Sequence, residues 1–121
     1  MKASRGEIWL VRLDPGAEGH ELRKTRPCVV VQADALNRRG STCIIAAITE
    51  HSDKKAAYPF CVTLAAGDGG LAKRSVVDAV QVRTVDDIRM IRCLGRLTDE
   101  VMVDVDDALR IVLALDRYPI E

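Results

Sequence analysis

The chemistry in this sequence gathers ahead of one apolar run. From Gly19 to Val31 the chain reads GHELRKTRPCVVV, so His20, Glu21, Arg23, Lys24 and Arg26 all precede Pro27 and a valine-rich segment. An arginine fixed at the start of a rigid strand suits a phosphate clamp. Its planar fork makes charge-assisted bonds and stabilises charge developing on phosphate oxygens. A solvated basic loop pairing with Glu18 and Glu21 fits the same residues, and residue types alone leave both readings open. Thr49 ends a second apolar run, AAITE; a hydroxyl there caps, satisfies a strand-end amide or faces a site. In VQVRTV, Gln81 and Arg83 share one face of an alternating strand, which is either a ligand-binding face or a solvated one.

Other chemistries find little support. The only histidines are His20 and His51, and no nucleophile elbow, phosphate-cradling glycine loop or His-Glu-x-x-His motif occurs. No carboxylates stand at metal-ligand spacing. Cys28, Cys43, Cys61 and Cys93 lie far apart without a Cys-x-x-Cys pair. They read as thiols of a cytosolic protein, most of them buried, and not as zinc ligands. No metal and no cofactor is expected. Trp9, Tyr58, Phe60 and Tyr118 are the only aromatics, which argues against a module that stacks several bases. No signal peptide or membrane span is evident, so a cytoplasmic location without membrane contact is expected.

The formal net charge of +0 hides an asymmetry. Residues 98–121 hold seven acids and two bases, and residues 1–97 hold 11 acids and 16 bases. A basic body with an acidic terminal segment is compatible with a polyanionic partner, as it is with an ordinary mixed surface.

The elements that must position these residues are short. At 121 residues the chain suits one domain spanning 1–121. Apolar runs predict strands over Glu7–Leu13, Cys28–Gln32, Thr42–Ile48, Phe60–Leu64, Ser75–Arg83 and Ile91–Leu97. The unbroken runs CVVVQ and TCIIAAI suit strands buried on both faces. Ala35–Arg39 reads as one helical turn, and Thr98–Leu115 as the only long helix. Thr98 would be its N-cap, Asp99 and Glu100 its acidic first turn, and Val101, Val105, Ala108, Leu109 and Val112 its apolar face. Val103, Leu113 and Leu115 widen that face, either as a generous core or as a second contact surface; the core reading is preferred. The fold class is α+β, with the sheet curled into a small half-open β-barrel and one C-terminal α-helix.

The segments RGEIWLVRLDP, GHELRKTRPCVVV, AAIT and VQVRTV follow one another in the order and spacing of the MazF/PemK-like toxin family. The resemblance covers nearly the whole chain, and its most specific piece is Gly-His-Glu followed three residues later by Thr25-Arg26-Pro27. It implies the toxin of a type II toxin–antitoxin pair: an SH3-like antiparallel β-barrel with a C-terminal α-helix, a homodimer, a sequence-specific and metal-independent endoribonuclease of single-stranded mRNA, covered by a MazE-like antitoxin. The implied reaction is attack of a ribose 2′-hydroxyl on the adjacent phosphorus, leaving a 2′,3′-cyclic phosphate and a 5′-hydroxyl. Residue by residue, the arginine before the proline and the threonine ending the next core strand correspond to Arg26 and Thr49. The arginine–aspartate pair of the Kid/PemK branch corresponds to Asp78 and Val80 and is absent, leaving His20 as an assisting group. Gly19, Glu21, Lys24, Gln81 and Arg83 correspond to RNA contacts. Asn37, with Arg38, would add specificity. The alternative from another class is a non-catalytic CcdB-like toxin that poisons gyrase.

Overall fold

A computed structural model describes residues 3–116. Six strands form one antiparallel sheet: β1 (Glu7–Arg12), β2 (Thr25–Val30), β3 (Thr42–Glu50), β4 (Cys61–Leu64), β5 (Ser75–Asp86) and β6 (Met90–Arg96), in the order β4-β5-β3-β2-β1-β6. Helix α1 (Asp34–Asn37) and helix α2 (Asp53–Ala56) are single turns flanking β3, and α3 (Asp99–Leu113) closes the chain. The half-open architecture expected from the strand spacing is present: the sheet coils, but its edge strands β4 and β6 do not pair.

The coil is sharpest in β5. Ala46 faces Val82 while Ile48 faces Val77, so residues 78–81 form a bulge against the single Ala47, with Ala79 buried in the core and Val80 exposed. A bulge of this kind bends the strand and increases its twist. The remaining gap to β6 is filled by the turn at Asp68–Gly70. Gly70 sits at φ +80, and a Cβ there would overlap the carbonyl of Leu94; a Cβ on Gly95 would overlap Gly69.

The apolar runs are buried on both faces, as their unbroken pattern predicts. Ile8, Val29, Ala46 and Ile48 face inward with Leu64, Val77 and Leu97. Val11, Cys28, Val30, Ile45 and Ala47 form a second cluster on the other side. Helix α3 covers the first cluster with Met102, Val105, Ala108 and Leu109. Its start follows the sequence rule: Thr98 Oγ1 accepts from the Val101 N–H at 3.3 Å. The generous-core reading fails, however. Val103, Leu113 and Leu115 are all more than half exposed: the buried face of α3 is carried by Met102, Val105, Ala108 and Leu109, and Ala114 turns left-handed to end the helix after Leu113.

Burial has a consequence for the thiols. It pushes Cys28 up to about 12, and Cys43 and Cys61 each up to about 11, from an ordinary value of 9.0. The fold therefore favours the neutral form. That stability is fully present below pH 9.0 and is lost as pH rises toward about 12. Denaturant titrations should show the wild type losing about 2 kcal/mol more than Cys28→Ala near pH 10.5. Equal losses would contradict the assignment to Cys28.

Candidate functional site

The site arises where two strands stop pairing. Along β2 and β3 the register runs Val30–Ile45, Val29–Ala46 and Cys28–Ala47, and ends there. Beyond that point β2 stays with β1, Pro27 facing Leu10 and Arg26 facing Val11, while β3 stays with β5. Proline at this place is physically reasonable, since its missing N–H is tolerated only where a strand has a free side. The sequence reading had Pro27 open a strand beginning at Cys28. Instead β2 starts at Thr25, so Arg26 stands on a strand and not in the preceding loop. Likewise Thr49 lies inside β3, one residue before its end.

The fork between the strands holds a cavity of about 240 Å³, lined by Arg26 and Pro27 from β2, by Ile48, Thr49 and Glu50 from β3, and by Leu71, Ala72, Lys73 and Ser75. Arg26 and Thr49, distant in sequence, therefore share one concave surface. Arg26 is half-buried and its Nε donates to the Arg23 carbonyl at 2.8 Å, which fixes the guanidinium. Thr49 is 9% exposed, and its Oγ1 accepts from Lys55 Nζ at 2.9 Å. A larger cavity of about 390 Å³ lies between β4 and α3, lined by Pro59, Cys61, Val62, Thr63, Asp104, Asp107 and Ala108. Its charged side chains are the carboxylates of Asp104 and Asp107, the wrong sign for a phosphodiester. Charge thus separates the two cavities where size does not.

The loop from β1 to β2 carries His20, Gly19, Glu21 and Lys24, all exposed and none of them lining the fork cavity. β5 braces this loop. Gln81 Oε1 accepts from the Leu22 N–H at 3.1 Å and Gln81 Nε2 donates to the His20 carbonyl at 3.3 Å. Arg83 donates to the Leu13 carbonyl at 3.3 Å, and Arg89 to those of Arg12 and Pro15 at 3.0 and 2.5 Å. At the loop's far end Lys24 adopts φ 68, with its N–H on Asp14 Oδ2 at 2.7 Å. Gln81 and Arg83 do share a face, as the alternation predicts, but the polar ends of Gln81 are committed to holding the loop.

Asn37 requires a correction. It is 3% exposed: Oδ1 accepts from Gln32 Nε2 at 2.8 Å, and Nδ2 donates to the Gln32 carbonyl at 3.1 Å. A buried amide with its partners in place holds the α1 turn and offers nothing to a base. The positions of the missing Kid/PemK pair, Asp78 and Val80, lie in the β5 bulge, where Val80 points to solvent.

Three polar neighbours of the fork escaped the sequence reading: Lys55, Lys73 and Ser75. One signal for Lys55 was available. Ser52 is a good N-cap type, and it does cap α2 by accepting from the Lys55 N–H at 3.1 Å. Among the described residues no group of three or more His, Cys, Asp or Glu side chains converges as metal ligands would. No helix among them is long and apolar enough to cross a membrane.

Known proteins resemble the chain along nearly its whole length. The family model described as PemK-like, MazF-like toxin of type II toxin–antitoxin system matches residues 4–113. The chain is 39% identical over 115 residues to endoribonuclease EndoA of Bacillus subtilis (strain 168), covering 95% of this chain and 97% of that protein. It is 36% identical over 114 residues to endoribonuclease MazF9 of Mycobacterium tuberculosis, covering 92% and 96%. A MazE–MazF crystal structure from Deinococcus radiodurans superposes with a TM-score of 0.74 at 27% identity, covering 94% and 97%. With the fold and a match along nearly its whole length in agreement, the chain belongs to the PemK-like, MazF-like toxins of type II toxin–antitoxin systems.

Proposed function

We propose that this protein is a sequence-specific endoribonuclease that cuts single-stranded mRNA in the cytoplasm and thereby inhibits translation and growth. The observation that carries the reading is the fork cavity, which both Arg26 and Thr49 line. The ribose 2′-oxygen attacks the neighbouring phosphorus and gives up its proton. The bond to the 5′-oxygen breaks, and that oxygen gains a proton. The products are a 2′,3′-cyclic phosphate and a 5′-hydroxyl, with no water and no metal consumed.

In this scheme Arg26 stabilises the negative charge of the crowded phosphorane, a role for which its permanent charge and forked donors suit it. Its high proton affinity makes it a poor base. Thr49 donates to a phosphate oxygen. His20 serves as an assisting proton carrier on the neighbouring loop. Gly19, Glu21, Lys24 and the remaining donors of Arg83 lie along that loop and its brace, where exposed bases would be read. Gln81 contributes by fixing the loop. A MazE-like antitoxin is the regulatory partner, and the exposed Val103, Leu113 and Leu115 support a homodimer.

Purified protein incubated with a long RNA in EDTA should yield fragments with 5′-hydroxyl ends. A substrate carrying 2′-deoxyribose at the cleaved nucleotide should resist, because it lacks the nucleophile. Intact RNA together with inhibited gyrase supercoiling would sink this reading in favour of the CcdB-like alternative.

A further inference from the structure

We propose that Lys55 is a positioning residue of the site: through Thr49 it sets the direction in which the threonine hydroxyl donates to the scissile phosphate. The inference rests on the ribonuclease reading above. Three observations support it.

The first is placement. Ser52 caps the single-turn helix α2 and fixes the Lys55 backbone. From there the side chain folds back to the end of β3, where Nζ lies 2.9 Å from Thr49 Oγ1 and 3.3 Å from the Glu50 carbonyl. Lys55 does not line the fork cavity, whereas Thr49, which it contacts, does.

The second is the direction of the bond. An ammonium has donors and no acceptor, so Thr49 Oγ1 must accept. Its own hydroxyl proton donates to no other group among the described residues. A nearly buried hydroxyl with one lone pair engaged and a free proton beside a cavity is prepared to donate into that cavity. The ammonium also polarises the oxygen and strengthens that donation.

The third is charge. The ion pairs among the described residues are Arg5–Asp106, Lys73–Glu50 and Arg110–Asp107, and Lys55 takes part in none of them. Its two contacts are neutral oxygens, so a half-buried positive charge stands behind Thr49 without a carboxylate to compensate it. An anionic group bound at Thr49 would complete it. A structural lysine would more often be exposed or ion-paired.

The test is a double-mutant cycle in single-turnover cleavage of an RNA the wild type cuts. Lys55→Met should lower the chemical rate by about 10-fold to 100-fold with little change in KM, less than the loss of a direct oxyanion donor. Thr49→Val removes the hydroxyl; in that background Lys55→Met should change the rate by less than about 2-fold. Lys55→Arg, which can still donate to Oγ1, should recover part of the activity. Thermal unfolding of each variant controls for folding, and Lys55→Gln, a donor without charge, should fall between wild type and Lys55→Met. A wild-type rate for folded Lys55→Met would overturn the inference and leave the ribonuclease reading standing. So would a full additional loss in the Thr49→Val background, which means direct action on the phosphate. An inactive wild type would remove both readings together.

Discussion

Arg26→Ala reduces RNA cleavage by about 10²–10⁴-fold while the protein keeps its fold. The expectation follows from where the side chain sits. It is half-buried at the open side of β2, and the bond it loses is the one from Nε to the Arg23 carbonyl. Losing one such bond costs about 1 kcal/mol, well inside the stability of a small domain. The chemical cost is larger, because a guanidinium aimed at developing phosphorane charge acts in a partly desolvated cavity. Arg26→Lys keeps the charge without the fork and should recover only part of the rate. Single-turnover rates beside thermal unfolding curves separate the two effects, and near wild-type cleavage by Arg26→Ala would remove the central assignment.

Gly70→Val has the largest expected effect on stability, more than about 3 kcal/mol. Two costs add. The backbone lies at φ +80, a region β-branched residues avoid, and any Cβ would overlap the Leu94 carbonyl. That contact is backbone against backbone, so no rotamer change relieves it. The turn seals the gap between β4 and β6 over Ile8 and Leu97, so displacing it opens the main core. Chemical denaturation measures the loss; a variant within about 1 kcal/mol of wild type would show that the turn is not needed to close the coil.

Much of this architecture is written in local pattern. CVVV and TCIIAAI demand burial on both faces, and Thr98 followed by Asp99 and Glu100 announces a helix; both features appear where they are expected. What local pattern misses are consequences of distant pairing. Pro27 reads as a strand opener because proline breaks ladders, yet β2 leaves one side of Pro27 free, and that depends on where β3 turns away. Asn37 reads as a surface contact because it is polar on a short helical turn. Only the tertiary approach of Gln32 shows that it is buried. Arg26 and Thr49 were each legible as residue types with a use, but their shared cavity is a property of the fork. Lys55 lies within an ordinary run, SDKKAA, and its importance appears only when the turn carries it back to Thr49.

The parting of β2 and β3 divides labour within the molecule. Arg26 and Thr49 stand on strands that are zipped together two residues away, whereas Glu21 and its neighbours ride on a loop secured by side chains from β5. On the proposed ribonuclease reading, substitutions at Glu21 and its neighbours would alter base reading while Thr49 stays anchored in β3, whereas Arg26 would still feel the loop through the Arg23 carbonyl. In evolutionary terms the address label is only partly editable on its own, because half of the blade is set in the strands and the other half leans on the loop that carries the label.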